Sequence, residues 1–121
     1  MKKIMLVCSA GMSTSLLVTK MEQAAEKLGD EVEIFALPMS DGMSRIPTVD
    51  CVLLGPQVRF NLGKIKEEAD KVNPGLPVEV IDMKDYGMMN GEKVYAHAKK
   101  LMKNNYFNTK RIIIDSFFAF I

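Results

Sequence analysis

A chain of 121 residues with 48% apolar content has the length and composition of one folded domain with one core. Its 16 basic side chains against 15 acidic ones nearly cancel, so no overall field marks nucleic acid or an anionic membrane as the main partner. The two cysteines, Cys8 and Cys51, stand in separate apolar stretches without a second cysteine or a histidine close by, which argues against a metal knuckle and for a reducing compartment.

Met1-Lys2-Lys3 before Ile4 to Val7 has the outline of a signal-peptide start, but the apolar run ends within a few residues at Cys8-Ser9-Ala10-Gly11. Lys3 to Cys8 reads instead as a strand buried on both faces of a parallel sheet. Ser9 to Ser13 form a loop. From about Ser13 to Leu28, residues Leu16, Leu17, Met21, Ala24, Ala25 and Leu28 recur at helical spacing opposite Lys20, Glu22, Glu26 and Lys27, and Gly29-Asp30 ends that helix. Glu31 to Leu37 reads as a second strand, and Pro38 to Pro47 as an irregular connection with room for a short helix.

Asp50 to Gly55 repeats the form of the first strand and Pro56 stops it. A helix from about Val58 to Val72, a turn over Asn73-Pro74-Gly75-Leu76-Pro77 and a fourth strand over Val78 to Ile81 follow. A last amphipathic helix, about Asn90 to Met102, carries Val94, Ala98 and Leu101 on its core stripe. This alternation predicts βαβ crossovers and a small, mostly parallel sheet covered on both faces. The tail 104–121 is set apart from a domain of residues 1–103; Ile112 to Ile121 is apolar but interrupted by Asp115 and Ser116, and is shorter than the roughly 20 residues that cross a bilayer.

Sites in open parallel sheets form beyond the carboxyl ends of the strands, and Cys8 holds that position on the first strand. Ser9, Ala10, Gly11, Met12, Ser13, Thr14 and Ser15 follow it: mostly small, rich in hydroxyls, with Gly11 free to take the positive φ that turns successive N–H groups into one concavity. The helix behind adds the positive end of its dipole, which favours an anion there, thiolate or phosphate. The plain alternative is that Cys8 packs and the loop only turns. Cys51 begins no such loop and reads as inert core. Gln57, after the third strand, is a candidate neighbour of the Cys8 loop.

The run Lys3-Ile-Met-Leu-Val-Cys-Ser-Ala-Gly-Met-Ser-Thr-Ser15, the Gly55-Pro-Gln-Val58 turn and the helix near Asn90-Gly91 resemble the lactose/cellobiose-type IIB proteins of the bacterial phosphoenolpyruvate-dependent sugar phosphotransferase system. The resemblance, over about residues 2 to 103, implies a four-stranded parallel sheet flanked by helices, with a phosphate-binding Cys loop after the first strand. It implies a cytoplasmic phosphotransferase whose Cys8 takes a phosphoryl group from a histidine of a IIA protein and gives it to a sugar on the membrane IIC protein. No metal or other cofactor and no nucleic acid is implied, and the isolated chain is expected to be a monomer. Two rival readings stand beside it. A low-molecular-weight phosphatase needs Cys-x5-Arg, and six residues after Cys8 stands Thr14. A non-catalytic interaction module would use the same scaffold with Cys8 as structure.

Overall fold

The computed structural model describes residues 1–9 and 12–103; the tail 104–121 lies outside the described residues. In chain order come β1 (Lys2–Cys8), α1 (Met12–Lys27), β2 (Val32–Pro38), α2 (Met39–Met43), β3 (Cys51–Leu54), α3 (Leu62–Val72), β4 (Val78–Val80) and α4 (Met83–Gly87). A further helix, α5, occupies residues 91–103. The strands are all parallel, as the alternation of strands and helices predicts, and they lie in the order β2-β1-β3-β4.

Alternate residues of a strand point to opposite faces, and this divides the core in two. Ile4, Leu6, Cys51 and Leu53 pack with Leu17, Met21 and Ala24 of α1 and with Val94, Tyr95 and Ala98 of α5. Met5, Val7, Val52 and Leu54 pack on the other face with Ile65 and Ala69 of α3 and with Ile46 and Val49. Because both faces are covered, the strands read as unbroken apolar runs rather than alternating ones. Ile4, Met5 and Leu6 are wholly inaccessible, and each such burial stabilises the fold by about 1.5–3 kcal/mol.

The structure departs from the sequence expectation at three places. Leu16 and Leu28 are exposed, and Val18 takes a core position instead; Leu28 lies beyond the end of α1, where Gly29 at φ 72° closes the helix with its N–H on the Glu26 carbonyl. The helix expected from Val58 to Val72 is divided into a 3-10 stretch, Pro56–Asn61, and α3, with Val58 off helical geometry at φ −116°, ψ 21°. The short helix α4 was not expected, since five residues cannot display a period. Its start is set by Asp82, whose carboxylate accepts from the Lys84 and Asp85 amides at 2.9 and 3.1 Å.

At the amino ends of the strands, Asp30 accepts from Lys99 Nζ at 2.7 Å and from the Tyr95 hydroxyl at 2.8 Å. The Lys99 hydrogen bond, then that of Tyr95, holds the Asp30 carboxyl below its usual range. Burial, with the Asp30 carboxylate next to it, pushes the Tyr95 phenol up. A depressed carboxyl contributes its stability above the unfolded-state value and loses it as pH falls through the folded one. Melting temperature is therefore expected to drop on acidification from about pH 5 to about pH 2, and Asp30→Asn to flatten part of that drop. Where α5 meets α1, a Cβ on Gly91 would lie 2.5 Å from Lys20 Cβ and 2.7 Å from the Lys20 carbonyl oxygen, against backbone that cannot yield. Gly91→Ala is expected to cost about 1–3 kcal/mol in urea unfolding.

Candidate functional site

The two inner strands bring the site together. β1 is paired from Lys2 to Cys8 with β2 and from Ile4 to Val7 with β3, so Cys8 is delivered to the carboxyl edge of the sheet opposite Pro38. Only three residues separate Cys8 from the first residue of α1. The helix therefore begins beside the thiol, and its first turn contains no acidic side chain to offset the positive dipole end. Cys8 is 7% exposed, and its Sγ lies 3.8 Å from the Leu37 carbonyl as a weak donor.

Of the loop residues singled out by sequence, Ser9 and Ser15 are exposed. Ala10 and Gly11, with the side chains of Met12 and Ser13, lie outside the described residues. Thr14 is buried in the first turn of α1, and its Oγ1 lies 3.1 Å from the Tyr86 hydroxyl. Gln57, expected near the Cys8 loop, joins the same group: its Nε2 donates to the Tyr86 hydroxyl at 3.1 Å. Thr14 after β1, Gln57 after β3 and Tyr86 after β4 thus meet at one phenolic oxygen.

Local structure makes this meeting possible. Gly55 ends β3 with its amide on the Val7 carbonyl at 2.9 Å, and Pro56 opens the 3-10 stretch that turns Gln57 back. A Cβ on Gly55 would stand 2.7 Å from Gln57 Oε1 and 3.7 Å from the Tyr86 ring, so glycine is what lets the amide fold inward. Tyr86 itself was not found by sequence reasoning. The signal for it is position, since it lies shortly beyond the carboxyl end of β4, on the side where Cys8 and Gln57 emerge.

Charge is arranged elsewhere. The described ion pairs, Lys3–Glu33, Lys27–Glu92, Lys71–Glu67 and Lys99–Asp30, join other parts of the molecule. Arg59, the nearest cation in sequence to Gln57, donates to the Pro56 carbonyl at 3.1 Å. Among the described residues no group of His, Cys, Asp and Glu could hold a metal ion. Among the described residues, none of these ion pairs involves Cys8, Thr14, Gln57 or Tyr86.

Cys51 is the contrasting thiol. It is wholly inaccessible at the start of β3, and burial first, then the charges of Asp50 and Glu79, push it up to about 12. Alkylation of the native protein at about pH 8 is expected to label Cys8 and spare Cys51, both being labelled after denaturation; peptide mass mapping reads the result.

The family model described as "PTS system, Lactose/Cellobiose specific IIB subunit" matches residues 3–97. The chain is 49% identical over 104 residues to the oligo-beta-mannoside-specific EIIB component of Bacillus subtilis, covering 86% of this chain and 99% of that one. It is 48% identical over 106 residues to the galactose-specific EIIB component of Lactococcus lactis subsp. cremoris and, over the same length, to the cellobiose-specific one of subsp. lactis; each match covers 84% of this chain and 96% of the relative. Among solved structures, the cellobiose-specific phosphotransferase IIB component of Borrelia burgdorferi superposes with a TM-score of 0.71 at 39% identity, covering 86% of this chain and 94% of that one. The lactose-specific IIB domain of Streptococcus pneumoniae shares the fold, with a TM-score of 0.73 at 16% identity over 82% and 95% of the two chains.

Proposed function

The chain belongs to the lactose/cellobiose-specific IIB family of the phosphotransferase system, and from that premise we propose that Cys8 is its phosphoryl acceptor, loaded from a phosphohistidine of a IIA protein and unloaded onto a sugar held by a membrane IIC protein. The observation that carries this reading is the placement of a cysteine at the carboxyl edge of the sheet, directly before a 16-residue helix without an acid in its first turn. In the first transfer the Cys8 thiolate attacks phosphorus in line. The S–P bond forms as the P–N bond breaks, and the imidazole keeps the bonding pair. In the second, a sugar hydroxyl oxygen displaces the thiolate and its proton leaves to a base of the permease or to solvent.

The chain's own work in both steps is to position the group and to neutralise charge on the equatorial oxygens. The backbone amides from Ser9 to Ser15 are the donors proposed for this, with the positive end of α1 behind them. A phosphatase of the Cys-x5-Arg kind would hold its phosphate with a bidentate guanidinium. At that position stands Thr14, buried and engaged with Tyr86. Losing the cationic grip suits a carrier that must release the group to another protein.

Relatives named for oligo-β-mannoside, galactose and cellobiose are 49%, 48% and 48% identical to this chain. Near-equal identity across different sugars supports placing sugar choice in the membrane component, and the class proposed here is β-linked disaccharides. No described helix is long and apolar enough to cross a membrane. The reading takes residues 1–103 as a domain that acts on the cytoplasmic side as a monomer. Phe60 at 79%, Met83 at 66% and Met88 at 68% exposure flank the carboxyl edge and are the apolar surface proposed for partner contact. Met39, Met43 and Met89 are partly buried against the cores.

Intact mass after incubation with phosphoenolpyruvate, the general phosphotransferase proteins and a cognate IIA is expected to rise by one phosphoryl group, about 80 Da. The gain should persist in Cys51→Ser and vanish in Cys8→Ser. No gain with an active IIA would move Cys8 into the structural role of an interaction module.

A further inference from the structure

We propose that Tyr86 is a positioning residue for phosphoryl transfer, holding Thr14, and with it the start of α1 that bounds the Cys8 loop, against Gln57; the inference rests on Cys8 being the acceptor. The topology makes such a tie necessary. β1 and β4 are not neighbours, since β3 lies between them, so no ladder bond connects the start of α1 to α4. The Thr14–Tyr86 contact spans 72 positions of sequence at 3.1 Å. Gln57, leaving the intervening strand, supplies the third arm at 3.1 Å.

Two features show that the ring is placed with little freedom. Tyr86 is 8% exposed and packs within the α1/α5 core, so its hydroxyl is the polar tip of an otherwise buried side chain. Its helix is fixed at the front by the Asp82 carboxylate and at the back by Met88 and Met89 amides on the Lys84 and Tyr86 carbonyls. Thr14 occupies the place where a phosphatase of this loop type carries its arginine. A neutral trio there holds the start of α1 without adding a cation that would retain the phosphoryl group.

Gln57 donates to the phenolic oxygen. Loss of the phenol removes the point at which Thr14 and Gln57 meet while leaving the ring in the core.

The test is single-turnover phosphorylation by phospho-IIA, with the maximal rate and the half-saturating IIA concentration measured separately for wild type, Tyr86→Phe, Thr14→Val and Thr14→Ser. Tyr86→Phe and Thr14→Val are expected to lower the maximal rate by about tenfold with half-saturation unchanged. Thr14→Ser, which keeps a hydroxyl, should retain most of the rate, and the double variant Tyr86→Phe/Thr14→Val should be no slower than either single one. A folded Tyr86→Phe protein with the wild-type maximal rate, a change confined to half-saturation, or fully multiplicative losses in the double variant would overturn the positioning role while leaving Cys8 as acceptor. A wild type that takes up no phosphoryl group would overturn both.

Discussion

The carboxyl ends of the strands are stitched to one another one bond beyond the regular ladder, and the site depends on this. The Gly55 amide reaches the Val7 carbonyl at 2.9 Å, and the Ile81 amide reaches the Leu54 carbonyl at 2.8 Å. Parallel pairing needs every strand to leave the sheet in the same direction, and these two bonds make the segments after β1, β3 and β4 leave from adjoining positions. Cys8, Gln57 and Tyr86 are brought to one edge as a result. At the other end, the Lys3 amide donates to Asp50 Oδ2 at 2.8 Å while the Asp50 amide donates to the Lys3 carbonyl at 2.8 Å, so β1 is pinned to the start of β3 as well.

Polar interactions divide along the sheet axis. The Asp30–Lys99–Tyr95 group lies by the amino ends of the strands, where partly exposed charge pairs contribute little to stability. At the carboxyl ends the Thr14–Tyr86–Gln57 group is uncharged. For the proposed role, in which Cys8 receives a dianion and passes it on, that division has a chemical sense. Amide and hydroxyl dipoles stabilise the transferring group without the deep well that a bidentate guanidinium would create.

Much of this was legible in the chain. Lys3 to Cys8 and Asp50 to Gly55 are apolar without alternation because both faces are covered, and that pattern marks parallel strands. Cys8 stood out because small and hydroxyl residues follow it, and Gln57 because it follows a strand end. The interior of α1 was legible through its period, whereas Leu16 and Leu28 at its margins turned outward, as apolar residues at the edge of a stripe do when no neighbouring element reaches them. Helix α4 was hidden because one turn and a half of helix carries no period, and its signal is a single capping aspartate.

Sequence by itself determined what adjacent residues can report: the order of strands and helices, the two-sided burial of the sheet, the cysteine placed before a loop and helix, and the family. Local spacing encodes these because helix and strand periods are short. The strand order β2-β1-β3-β4, the exposure of individual margin residues and the meeting of Thr14 with Tyr86 were decided only by tertiary structure. Thr14 and Tyr86 are 72 positions apart, and no periodicity in a chain reports which hydroxyl will face which across a third strand. Only the register of β1, β3 and β4, fixed by packing on both faces, brings those two oxygens to hydrogen-bonding distance.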